Sequence, residues 1–148
     1  MKILHLKTIE SNIGESFGTS DWQTVTQDMI NQFAELTGDN QWIHVDTEKA
    51  KHSPFGSTIA HGFFVLSFAP KLVSEMIELK GIRLGLNYGF EKVRFVSPIP
   101  VNSQVRMSAT LSNIERDEVK VKATMTIIFE IKGRDKPAIV AEWLNVFM

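Results

Sequence analysis

The 148-residue sequence contains no cysteine, which removes disulfide frameworks, thiolate metal sites and thiol nucleophiles at once. A cysteine-free chain suits a reducing cytoplasm, and a cytoplasmic location is the expectation. Long apolar runs are missing too. The most apolar window, IAHGFFVLSFAP, is interrupted by His61, Gly62, Ser67 and Pro70 and falls short of the roughly 20 residues a membrane span requires. The opening MKILHLKTIESNIG is broken by His5 and Lys7 before a signal-peptide core could form. An excess of either charge is also lacking: 16 Lys and Arg stand against 17 Asp and Glu, so no net positive field draws in nucleic acid or an anionic membrane. Neither is an expected partner. Repeats, linkers and low-complexity tracts are absent, and this length with 43% hydrophobic residues fits one domain spanning residues 1–148.

What is there falls into two halves. Residues 1–20 mix small and polar types and read as a lead-in. In QTVTQDMINQFAELTGD, Thr26 can cap a helix, Asp28 suits its first turn, and Ile30, Phe33, Ala34 and Thr37 mark one face. Gly38 supplies the stop. The run VDTEKAKHSPFG predicts a short helix capped by Asp46 or Thr47 and closed before Pro54. Gly62 to about Lys80 is so rich in Phe, Val, Leu, Met and Ile that it predicts a long central helix covered on most sides, kinked or restarted at Pro70.

Beyond Ile82 the period changes to two. Val105, Met107, Ala109 and Leu111 alternate with polar residues, as do Val119, Val121, Ala123, Met125, Ile127, Phe129 and Ile131. Both are half-buried strands, and AIVAEWLNVF makes a last one, so the C-terminal half reads as an antiparallel meander. A long apolar helix and a sheet with one apolar face must cover each other. The predicted class is α+β, an antiparallel sheet wrapped around a long central helix. Such a sheet has edges, and pairing them in a homodimer is a common way to protect them.

The stretch TGDNQWIH places Asp39 and His44 five positions apart. In a helix that spacing turns the two by about 140°, and in a strand it puts them on opposite faces. Only an irregular turn aims both at one point. Taken alone, Asp39 after a helix-ending glycine reads as a turn residue, and His44 beside Trp42 and Ile43 as a histidine at the core's edge.

ELTGDNQWIHVD, followed by FGSTIAHGFFVLS and then NYGFEKVRFVSPIPVNSQVR, resembles the MaoC-like dehydratases, or (R)-specific enoyl-CoA hydratases, in their nodulation-protein-N-like branch. The three motifs stand in the family's order, and the likeness spans roughly residues 22–148. It implies the hot-dog fold and reversible hydration of a trans-2-enoyl thioester, carried by coenzyme A or an acyl carrier protein, to the (R)-3-hydroxyacyl thioester. It implies no cofactor and no metal. Gly38, Asp39, Ile43 and His44 match the hydratase signature, while Gln41 and Trp42 stand where Asn and Pro are usual.

Carried over by position, Asp39 and His44 are the catalytic pair and the backbone N–H of Gly62 receives the thioester carbonyl. Ser67 orients Asp39 or else bonds the carbonyl a turn earlier. Trp42, His61 and Arg94 are the substrate-binding candidates. His61 can equally brace the loop, and Arg94 with Lys92 can face phosphates of coenzyme A or plain solvent. Two other functions fit the same resemblance: an acyl-CoA thioesterase, and a non-catalytic acyl-binding domain. A third reading, an iron-type metal site of Asp39, His44 and His61, is weaker.

Overall fold

The computed structural model describes residues 1–148. Its order of elements is β1 (Lys2–His5), a 3-10 turn (Leu6–Asn12), β2 (Ser16–Thr19), β3 (Gln23–Thr24), α1 (Gln27–Thr37), α2 (Trp42–Val45) and α3 (Thr47–Lys51). There follow α4 (Gly62–Leu66), α5 (Ala69–Met76), β4 (Ile77–Lys80), β5 (Gly85–Phe95), β6 (Gln104–Arg116), β7 (Val121–Ile131) and β8 (Ile139–Phe147). No helix is long and apolar enough to cross a membrane.

The main sheet has the order β2-β6-β7-β8-β5, with β3 adding to β6 beyond β2, and all its pairings are antiparallel. The alternation in β7 is strict: Val121, Ala123, Met125, Ile127, Phe129 and Ile131 are buried and the residues between them are half-buried. Its buried face meets Phe64, Val65 and Leu66 of α4 and Ala69, Leu72 and Met76 of α5 in one core. Complete burial of side chains such as Phe129 and Leu72 contributes about 1.5–3 kcal/mol each. A sheet curled over a buried helical segment is the hot-dog arrangement.

Three expectations need correcting. The central helical segment breaks at Pro70 as expected, but it ends at Met76 and does not reach Lys80. Pro70 has no N–H and its ring would clash with the carbonyl of Leu66, so α4 and α5 are separate, with Pro70 in the first turn of α5. The backbone turns extended at Ile77, and Ile77–Lys80 is a strand. Residues 1–20 are no lead-in: β1 pairs in parallel with β4, β2 pairs with β6, and Leu4 and Ile9 are buried. Val119 lies in the turn before β7 and is exposed, because Asp117 caps that turn by accepting the N–H groups of Val119 and Lys120.

Candidate active site

Two short helical pieces aim the acid and the imidazole. Thr26 caps α1, its hydroxyl accepting from the Met29 N–H at 3.3 Å, and Gly38 ends the helix in the left-handed conformation with φ 81°. A residue with a Cβ is strained there. Asp39 leaves that turn, its Oδ1 accepting the Gln41 N–H at 3.4 Å. One residue past Gln41, α2 makes a single helical turn that carries His44 inward, to 7% exposure. Asp46 then caps α3 by accepting the Lys49 N–H. The result is an irregular turn in which Asp39, His44 and His61 bring one polar atom each to within 4.8 Å of one another.

Backbone carbonyls set the protons on both rings. His44 Nδ1 lies 2.7 Å from the Ile59 oxygen. A carbonyl only accepts, so neutral His44 carries its proton on Nδ1 and keeps a lone pair on Nε2. Burial pushes the His44 pKa below the ordinary imidazole value. The Ile59 hydrogen bond and the Asp39 charge oppose that shift, while His61 adds to it. His61 is 3% exposed, and its Nε2 lies 3.0 Å from the Asp39 carbonyl oxygen and 4.0 Å from Asp39 Oδ2. The same logic puts the His61 proton on Nε2. The two imidazoles stack with centroids 3.8 Å apart, and Phe33 of α1 packs against His61 at 4.9 Å.

His44 and Gly62 line one cavity of about 320 Å³, with Ile59, Phe63, Phe95 and Ser97 among its walls. Gly62 is the first residue of α4, so its N–H has no partner within the helix. At five residues α4 is too short for a large dipole, and what it offers an oxyanion is the amide itself. A side chain at position 62 would put its Cβ 2.5 Å from Phe95 Cδ1.

The other site candidates are placed differently. Ser67 does not approach Asp39: its hydroxyl donates to the Phe64 carbonyl at 2.5 Å, the back-bonding open to a serine at a helix end. Trp42 is not among the residues lining the cavity, and the Lys49 ammonium lies 4.6 Å from its ring centroid. Arg94 is exposed on β5 and donates to the Val93 carbonyl. Neither Asp39, whose side chain is 54% exposed, nor His61 is among the residues lining the cavity; His61 holds the Asp39 carbonyl and stacks on the His44 ring.

Two participants carried no sequence signal. Ser97, from the loop after β5, lines the cavity with a buried hydroxyl that has no partner. Gln27 ties the histidine turn down, donating to the His44 carbonyl at 2.8 Å and accepting from the Thr58 hydroxyl at 2.5 Å.

Asp39, His44 and His61 are the donor set a divalent metal would need, but their arrangement does not suit one. With its proton on Nε2 and donated to the Asp39 carbonyl, His61 has no lone pair at that nitrogen to offer a metal.

Residues 8–130 match the family described as MaoC like domain. The 3-hydroxyacyl-thioester dehydratase Z of Mycobacterium tuberculosis is 50% identical over 130 residues, which cover 87% of this chain and 86% of that one. Nodulation protein N of Rhizobium leguminosarum bv. viciae is 40% identical over 149 residues, covering 99% and 92%. Among solved structures, a monoamine oxidase regulatory protein from Archaeoglobus superposes with a TM-score of 0.82 at 26% identity, covering 99% and 95%. The (R)-hydratase of A. caviae shares the fold, with a TM-score of 0.75 at 22% identity over 90% and 94% of the two chains. With a family match over most of its length and a half-identical dehydratase among its relatives, the chain belongs to the MaoC-like dehydratase family.

Proposed function

We propose that the protein is an (R)-specific enoyl-thioester hydratase, a hydro-lyase that reversibly adds water to a trans-2-enoyl thioester to give the (R)-3-hydroxyacyl thioester. The observation that carries this reading is the convergence of Asp39 and His44 to within 4.8 Å. One water hydrogen-bonded to both groups spans at most about 5.6 Å, twice a normal hydrogen-bond length. The half-identical relative named as a 3-hydroxyacyl-thioester dehydratase supports it.

The chemistry follows from the protons. A carboxylate and an Nε2 lone pair are both acceptors, so a shared water donates one O–H to each. Asp39 takes the proton as the water oxygen bonds to the β-carbon, and His44 Nε2 holds the second O–H in line. The π electrons move to the thioester carbonyl, whose developing negative charge meets the Gly62 amide and the Ser97 hydroxyl. Return of the proton to the α-carbon completes the addition. The two groups act as a coupled pair. The reaction is redox-neutral, and this reading assigns it no cofactor beyond the carrier on the thioester.

Crotonyl-CoA tests the reading directly. Its conjugated double bond should lose absorbance in the presence of the protein, and the product should be the (R)-3-hydroxybutyryl thioester. Release of free thiol with the double bond intact would identify a thioesterase instead. No change in either would leave an acyl-binding domain.

The same reading includes a homodimer joined through β5. That strand is eleven residues long, pairs on one side only, and leaves Leu86, Tyr88 and Phe95 exposed. A long apolar edge invites pairing with another chain. Sedimentation should give twice the chain mass, and Tyr88→Asp should give a monomer. A wild-type monomer at micromolar concentration would refute the dimer.

A further inference from the structure

Strand β8 carries one residue that its position does not explain. Ile139, Ala141, Trp143 and Asn145 alternate along the face that meets the helices, and all four are buried. Three are apolar. Asn145 is an amide at 7% exposure, and its Nδ2 has no hydrogen-bond partner. An unpaired amide donor in such a place costs about 1–3 kcal/mol, which a leucine there would avoid.

Asn87 of β5 lies directly across from Asn145. A bulge between Asn87 and Gly89 shifts the register, which lets Asn87 and Phe90, three positions apart, line the same hollow. The Asn87 side-chain oxygen accepts the Trp143 indole N–H at 2.7 Å. That bond fixes the amide and leaves the Asn87 Nδ2 group as a donor. Both amides border a cavity of about 780 Å³, with Asn87 at its exposed rim and Val73, Ile77, Met125 and Phe147 among its walls. Ser74 and Glu78 also border it, but most of its lining is apolar, and the two amides present donors to it, the complement of a single acceptor oxygen on an apolar chain.

The cavity leads back to the candidate active site. A smaller hollow of about 260 Å³ shares Pro70, Asn87 and Trp143 with it and shares Phe63 with the cavity that holds His44 and Gly62. The three follow α4 and α5 along the seam with β5 and β8.

We propose that this cavity is a distal acyl subsite, and that it selects enoyl thioesters whose chain carries an acceptor oxygen, a keto or ether group, far from the thioester. Asn145 Nδ2 donates to that oxygen from inside and Asn87 Nδ2 from the rim. The proposal rests on the hydratase reading above.

The test is hydration of trans-2-dodecenoyl-CoA and of the same chain with one keto group moved through its distal half, each rate expressed relative to crotonyl-CoA. At one keto position kcat/KM should exceed that of the plain chain by about tenfold, the worth of one hydrogen bond to an otherwise unpaired amide. Asn145→Leu should remove that preference and raise Tm by about 3 °C, since an unpaired buried donor is gone. Equal kcat/KM along the whole series in the wild-type protein overturns the subsite while crotonyl-CoA hydration leaves the activity standing. Absence of crotonyl-CoA hydration overturns the hydratase reading, and the subsite with it. The wild-type series decides alone if Asn145→Leu does not fold.

Discussion

His44 and His61 lie face to face, 23° from parallel with centroids 3.8 Å apart, and each spends one ring N–H on a backbone carbonyl, His44 on Ile59 and His61 on Asp39. One histidine faces the cavity. The other holds both the acid and its imidazole neighbour in place.

His61→Phe separates these roles, since a phenyl ring keeps a face for stacking and loses the N–H to Asp39. The lost hydrogen bond is worth about 1 kcal/mol, so kcat on crotonyl-CoA should fall about fivefold with KM nearly unchanged. His61 also helps to hold the His44 pKa down. Its removal should therefore move the acid limb of the kcat profile toward higher pH. An unshifted profile with an unchanged kcat would show that His61 is only packing.

The pH dependence of stability has a definite sign. The His44 pKa is lowered by burial in the folded state, so the unfolded chain binds the proton more readily. Stability is fully present above the unfolded value of about 6.5 and is lost as pH falls from there toward the lower folded value. Thermal unfolding between pH 7.5 and 5 should show that loss, and His44→Gln should flatten it. A variant with the same slope as wild type would place the titrating group elsewhere.

Gln27 holds the histidine turn to the segment that precedes α4. Gln27→Leu leaves the Thr58 hydroxyl, at 1% exposure, and the His44 carbonyl without their partner. At about 1–3 kcal/mol for each of the two unpaired buried groups, urea unfolding should show a loss of about 2–6 kcal/mol. An unchanged midpoint would mean that water replaces Gln27.

Gly62→Ala brings a methyl group against the Phe95 ring. The whole Phe95 ring has to shift, since its Cγ as well as its Cδ1 and Cε1 lies within 3.0 Å of the added methyl, so the cavity changes shape. The expected outcome is a crotonyl-CoA KM raised about tenfold or more, near 1.4 kcal/mol of binding, with Tm lowered by only a few degrees. Gly62→Ala combined with Phe95→Leu should recover much of the loss. Failure of the second change to help would put the effect on the backbone at position 62.

Local chemistry explains what the sequence could disclose. Caps, stop glycine and periodicity delimit α1, and alternation marks β7 and the first part of β6, because each signal lies within a few residues of what it specifies. Ile77–Lys80 alternates over only four residues and follows a helix, so its run also fits helical continuation; its pairing with β1 is set by a partner some 75 positions away. Ser67 and Trp42 fit a motif by position, yet a nearby carbonyl and Lys49 respectively take up their side chains. Ser97 and Gln27 reach the site through tertiary contacts that no spacing announces.

The most direct measurement is the crotonyl-CoA hydration rate of Asp39→Asn and of His44→Gln, each checked for folding by thermal unfolding. Removal of either proton-transfer group should slow the reaction about 100-fold or more, the scale of general acid–base catalysis, with the cooperative unfolding transition retained. Wild-type rates in both folded variants would contradict the claim that this pair activates one water.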